Sequence, residues 1–274
     1  MDKALRILQT LIEQFPQDPR PRLERAKLFA DSTDHELQQR VKSDLLKVLD
    51  LNPTLSAARE RLVAWYVRHN HLEDAVVQAR KLVDDNPGNH RFRQLLLETV
   101  LARGEYEDFE MLIEAAISDF PGLPVWHRLR AEELSGRGKV ESALWEQLEA
   151  WRLAPLPENL PGLIKLMRLN DRAEAADRIL QDQADMVSRS AQLLGLQATV
   201  QAEIGNRAKA RENITEALTR LRENSAAQAR MAEVITDVLT IAEMRALRAS
   251  PVSRTFTWYG WIALADALLH EGAY

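Results

Sequence analysis

Chemistry, if this chain performed any, would have to begin with its few clustered ligating or acidic side chains. His69 and His71 stand two residues apart in the stretch RHNHLED, with Glu73 and Asp74 just beyond. Imidazole and carboxylate are zinc ligands, but a zinc site needs several of them converging in a fixed geometry. Two histidines on either side of a polar turn read as solvated. The stretch DHELQQR, residues 34 to 40, holds one histidine and one glutamate. It lacks the second histidine that a zinc-protease helix requires. The acidic pairs Asp84–Asp85, Glu107–Asp108 and Glu132–Glu133 sit among helix-forming residues. A general acid needs an apolar pocket to shift its pKa, and none is indicated around them, so they too read as solvated. There is no cysteine, which removes disulfides, thiol nucleophiles and thiolate metal sites. No glycine-rich phosphate loop and no Gly-x-Ser-x-Gly elbow occurs. The residues predict no catalytic site, no metal and no cofactor.

Six tryptophans remain: Trp65, Trp126, Trp145, Trp151, Trp258 and Trp261. Most read as packing between helices. A sharper alternative is that some anchor a partner, because tryptophan is enriched at interface hot spots.

The elements that must carry these residues are helices. Leu, Ala, Glu and Arg dominate, glycine is scarce at 10 of 274 residues, and alternating strand-forming runs are missing. Net charge is −5 and the sequence pI is near 5.8, so the whole chain offers no strong basic field for nucleic acid, though local basic stripes remain open. No apolar run is long enough to span a membrane. The opening MDKALRILQTLIEQF alternates charged and apolar residues and does not read as a secretory signal. The compartment is left open between cytoplasm and periplasm.

A period organises the helices. Pro53, Pro87, Pro121 and Pro155 follow one another at steps of 34, and Pro16 precedes Pro53 by 37. The polar stretch DSTDHE, residues 31 to 36, accounts for the extra three as a lengthened turn. Twelve residues before each proline stand Ala4, Val41, Ala75, Phe109 and Ala143; five before stand Leu11, Val48, Leu82, Ala116 and Ala150. Gly104 and Gly138 are one period apart, with Asn70 in the same place one unit earlier. Both residue types tolerate the left-handed backbone that closes a helix. Each unit is therefore helix, tight turn, helix, then a proline turn. Leu62, Val63 and Tyr66, and then Leu96, Leu97 and Val100, mark the apolar face of the first helices.

In the segments RLVAWYVRHNHLEDAVVQARKLVDDNP and LLLETVLARGEYEDFEMLIEAAISDFP the chain resembles the tetratricopeptide repeat family. That resemblance implies an all-α fold: a right-handed α-solenoid of stacked antiparallel helix pairs. About six units run from Pro16 to Leu221, the fifth being one residue short and lacking a final proline. Domain organisation follows: repeats over 1–221 with an incomplete first unit, then a degenerate repeat and the first helix of another over 222–274. SAAQARMAEVITDVLTIAEMRALRAS reads as one long helix or a degenerate unit, closed by Pro251. Both ends read as cut within a unit, so the chain is expected to be a piece of a longer repeat protein.

The resemblance also implies a function. In such arrays the first helices line a groove that holds a peptide. Carried onto this chain, the groove residues are Arg68, Arg91, Glu98, Arg128, Glu132, Lys165 and Arg168. The cations form a stripe suited to carboxylates or an anionic polymer, and Glu60, Glu98 and Glu132 interleave with it and partly cancel its charge. Chaperone-tail-binding members use a lysine and asparagine clamp; Glu60 and Ala64, or Gln94 and Glu98, stand at those places here, which argues against that role. The expectation is a non-catalytic scaffold for a protein or peptide partner. The alternatives are a recruiting arm of a glycosyl- or methyltransferase, or a periplasmic factor of envelope or exopolysaccharide assembly. RNA reading by helical repeats fits poorly with the acidic balance.

Overall fold

A computed structural model describes residues 2–221, 231, 234–255, 261 and 265. Among these, all regular structure is helical: the fold is an all-α solenoid of helix pairs. The chain divides into two compact units, Met1–Glu133 and Leu134–Tyr274.

The first unit begins with α1 (Asp2–Gln14). Three pairs follow: α2 (Pro19–Leu28) with α3 (His35–Leu51), α4 (Ser56–Arg68) with α5 (Leu72–Asp85), and α6 (His90–Arg103) with α7 (Tyr106–Asp119). Each helix packs on the next, α3 on α4 and α5 on α6 included. The division falls within α8 (Pro124–Gly136). In the second unit α9 (Val140–Leu153) packs on α10 (Leu160–Leu169), which pairs with α11 (Ala173–Asp182). A short α12 (Ala184–Ser188) precedes the pair α13 (Ala191–Glu203) and α14 (Arg207–Arg220). A helical stretch at 234–238, α15 (Ile241–Ala249) and a 3-10 turn at Pro251–Thr255 complete the described elements.

The prolines act through the residue before them. Asn52, Asn86, Phe120 and Ala154 each cap a helix and each have φ between −134° and −149° with positive ψ. Proline's ring clashes with a helical predecessor, so that residue is driven extended and the helix stops. Within each pair the turn is made differently. Asn70, Gly104, Gly138, Asp171 and Gly205 all have positive φ. At Gly104 (φ 80°) the next amide, Glu105 N–H, reaches back to the Val100 carbonyl at 3.4 Å, and the same return links His71 to Tyr66 at 2.8 Å. These left-handed residues satisfy carbonyls that the ending helix would otherwise leave open. Asp171 takes this place in the fifth pair, where the sequence pattern has no glycine. The longer first turn is tied down by Gln38, whose Nε2 donates to the carbonyls of Phe29, Ala30 and Ser32 at 2.9, 3.1 and 2.8 Å.

The repeat columns are the core from α3 onward. Val41, Ala75, Phe109 and Ala143 are 4 % exposed or less, and so are Val48, Leu82, Ala116 and Ala150. In α1 the columns do not hold: Ala4 is exposed and Leu11 half-buried. Alanine in the second helices lets the partner helix approach closely, and Leu62, Leu97 and Ile113 fill the space between. In the first unit one continuous apolar cluster runs from Leu23 to Leu129.

Three expectations change. Glu133 is fully buried rather than solvated; it lies on an inward-facing position of α8. His69 is packed, not solvated: its ring stacks on Trp65 at 4.0 Å between centroids, and its Nδ1–H donates to the Trp65 carbonyl at 2.8 Å. Of the two readings of the segment before Pro251, one long helix or a degenerate unit, the first does not hold, because Leu239 and Thr240 are not helical and Thr240 opens α15 with a capping box to Glu243. The expected further helix includes Trp258, Leu264, Leu268 and Gly272, which lie outside the described residues; Trp261 and Ala265 are helical.

Candidate partner-binding face

The seven expected groove residues fall on four helices: Arg68 on α4, Arg91 and Glu98 on α6, Arg128 and Glu132 on α8, and Lys165 and Arg168 on α10. Five belong to the first compact unit and two, Lys165 and Arg168, to the second.

Their side chains divide by how they are held. Arg68 is tied within its unit: Nη1 donates to the Ala30 carbonyl and Nη2 pairs with Asp31 at 3.1 Å. Glu98 accepts from Gln94 Nε2 at 2.8 Å along its own helix. Arg168 pairs with Glu203 of α13 at 2.5 Å. Arg91, Arg128, Glu132 and Lys165 make no side-chain hydrogen bond or ion pair among the described residues. Arg91 sits in the first turn of α6, where its amide donates to the Asn89 side chain at 3.0 Å; its guanidinium is exposed. Glu132 and Lys165 are exposed as well, and Arg128 is half-buried.

Those loose guanidiniums contrast with a second set, on α4 and α6. Arg59 and Arg93 are one 34-residue period apart, each six residues past a proline. Arg59 donates to the Pro53 carbonyl and to Gln78 Oε1 at 2.8 Å, and faces Asp85 at 3.8 Å. Arg93 donates to the Pro87 carbonyl at 3.4 Å, pairs with Asp119 at 2.6 Å and lies over the Phe120 ring at 5.4 Å. Each therefore fastens the proline turn at one end of its unit to the aspartate at the other. The sequence analysis does not single out this column, although the shared period is visible, because a helical pattern does not say which arginines turn inward.

Sequence reading also missed a cavity of about 180 Å³ in the first unit. Ala26 of α2, Ala30 of the turn after it, Val41 and Leu45 of α3, and Trp65 of α4 line it, with Arg61, Arg68 and Asp31 around them. Trp65 is fixed from behind: its Nε1–H donates to the Gln38 carbonyl at 3.0 Å, and Lys42 lies 5.0 Å from its ring centroid. Beside it, Tyr66 meets Trp65 edge to face at 5.6 Å. Burial, and then the Asp74 carboxylate, push the Tyr66 phenol above its ordinary pKa.

Of the six tryptophans, Trp65 and Trp126 are core residues at 4 % and 1 % exposure, whereas Trp145 on α9 is 63 % exposed. No group of three or more histidine, aspartate or glutamate side chains fit to hold a metal occurs among the described residues. No described helix is long and apolar enough to cross a membrane.

No protein-family profile matches the chain, and no curated protein matches it in sequence. Solved structures do match in shape. Yeast Tom70 superposes with a TM-score of 0.60 at 18 % identity, covering 89 % of this chain and 48 % of that one. The Cut9–Hcn1 hetero-tetramer of the APC/C gives 0.56 at 13 % identity, over 87 % and 46 %. PilF of Pseudomonas aeruginosa gives 0.53 at 18 % identity, over 77 % and 97 %. This chain thus spans about half the length of the Tom70 and Cut9 chains it matches. All three are tetratricopeptide-repeat proteins, and at these identities the likeness is one of fold.

Proposed function

We propose that this chain, which folds as tetratricopeptide-type repeats, is a non-catalytic scaffold that holds a protein or peptide partner against its first helices. The observation that carries the reading is the split among its arginines. Arg59 and Arg93 are committed to holding their own units together. Arg91 and Arg128 have no such task and keep their donors free, on α6 and α8, where the family resemblance implies a binding groove. An unpaired guanidinium offers a planar fork of donors suited to carboxylates. Exposed Glu98 and Glu132 alternate with them, so the matching partner segment is one of mixed charge with acidic residues prominent. The cavity beside Trp65 has room for one small apolar side chain, with Arg61 and Arg68 at its edge. A preformed surface of this kind spends little ordering entropy when it binds. Lys165 supplies an unpaired cation on the corresponding helix of the second unit.

The reading is tested by reversing both free charges, Arg91→Glu with Arg128→Glu. Partners co-isolated from lysate by the wild-type chain are expected to be recovered on the order of tenfold less well, given what charge-assisted hydrogen bonds contribute. Helical circular dichroism is expected to stay as it was. Equal recovery with helicity intact rejects the proposed face.

A further inference from the structure

The chain carries a net negative charge, yet one depression on its first unit is rimmed by arginines. It is lined by α1, α2 and α3, is open to solvent and has a volume of about 840 Å³. Arg6 comes from α1, Arg22 and Arg25 from α2, and Arg40 from α3, with Leu5 and Ile12 providing apolar wall. This basin is separate from the cavity beside Trp65.

The guanidiniums are unequally occupied. Arg25 is saturated: Nε and Nη2 each donate to a different Asp44 oxygen at 2.7 Å, and Nη1 donates to Gln9. Asp44 is nearly buried, and both its oxygens are held by the Arg25 fork. Arg22 reaches Asp44 only at 3.6 Å, and its Nε is buried without a hydrogen-bond acceptor. Arg40 touches the exposed Glu36 at 3.6 Å. Arg6 is exposed and has no side-chain partner among the described residues. Four cations thus face one buried aspartate and one rim glutamate, and three of the forks still have donors to give.

We infer that this basin binds a phosphoryl-type oxyanion carried on a protein partner. A single carboxylate is filled by one fork, as Asp44 is by Arg25. Three forks from three helices suit a dianion with three acceptor oxygens, and such charge-assisted bonds are the strong ones. The Leu5 and Ile12 wall gives an apolar residue next to the phosphoryl group a place to lie.

The test uses the whole chain. Inorganic phosphate, added against chloride at equal ionic strength, is expected to raise the thermal midpoint. A phosphoserine peptide is expected to bind at least tenfold more tightly than its unphosphorylated form and more tightly than inorganic phosphate. Arg6→Gln with Arg40→Gln removes two exposed cations whose side chains do not build the core. That variant is expected to lose about tenfold or more of phosphopeptide affinity while melting normally without ligand. Lys81→Gln, on α5, is expected to bind like wild type. No stabilisation by phosphate beyond that of chloride overturns the site, as does unchanged binding by the double variant. A peptide that binds no better than inorganic phosphate overturns the partner-borne source. The Arg91 and Arg128 double reversal leaves this binding intact, so the two proposals fail separately.

Discussion

Tyr66 shows what a single residue of this fold reports. It is 6 % exposed and lies between Trp65 and the start of α5. Burial and Asp74 raise its phenol above the usual value of 10.0. A raised acid means that the folded chain holds its proton more tightly than the unfolded chain does. The stability this reflects is complete below the ordinary phenol value and is lost as pH rises through the raised one. Urea melts from about pH 8 to 11 are expected to show a steep alkaline decline that Tyr66→Phe flattens. A variant with the same alkaline slope as wild type contradicts the burial assigned to the phenol. Neighbouring His69 shows the limit of reading residues singly. Its type and its place at a turn were visible in the sequence, but the Trp65 ring that covers it comes from one helical turn earlier, and only coordinates show the stack. Glu133 failed for the same reason: an acidic pair looks solvated until the inward position of one member is known.

At the level of helices and turns, much was legible because it rests on local sterics. Proline forbids a helical predecessor wherever it occurs, so a series of them marks helix ends without tertiary knowledge. The left-handed turn residues were legible at Asn70 and Gly104 for a similar reason. Asp171 was not, because aspartate is common at helix ends and turns in many conformations, so its type alone does not mark the left-handed residue. Gly104 supplies a direct check. At φ 80° a β-carbon meets no neighbour within 4 Å, so Gly104→Ala isolates backbone strain from crowding. It is expected to destabilise the chain by about 1 kcal/mol, read as a lower midpoint in thermal melts. An unchanged midpoint removes the strain argument. The Arg59 and Arg93 fasteners were harder to see. Their partners, Asp85 and Asp119, lie 26 residues on in sequence, and nothing in a helical pattern says which charges turn inward.

Across the whole molecule, stability should be regional, since each helix covers chiefly its immediate neighbours. Leu62 is fully buried at the centre of α4. Leu62→Ala is expected to cost about 2–5 kcal/mol of local stability. Amide exchange should quicken most in α3, α4, α5 and α6, and little in α13 and α14. Uniform quickening along the chain contradicts a nearest-neighbour array. The proline period is regular in the sequence from Pro53 to Pro155 and thins after it, where helices keep apolar residues without a proline every 34 residues.

The arginine fasteners have one more consequence. Arg59 begins and ends its duties between Pro53 and Asp85, and Arg93 does the same between Pro87 and Asp119. Each segment is thus closed on itself, like a link that carries its own clasp. Removing residues 53–86 would bring Asn52 directly before Pro87, restoring the asparagine-proline junction found at both original sites. A lineage could therefore lengthen or shorten such a chain by whole links without ever passing through a form with an open seam.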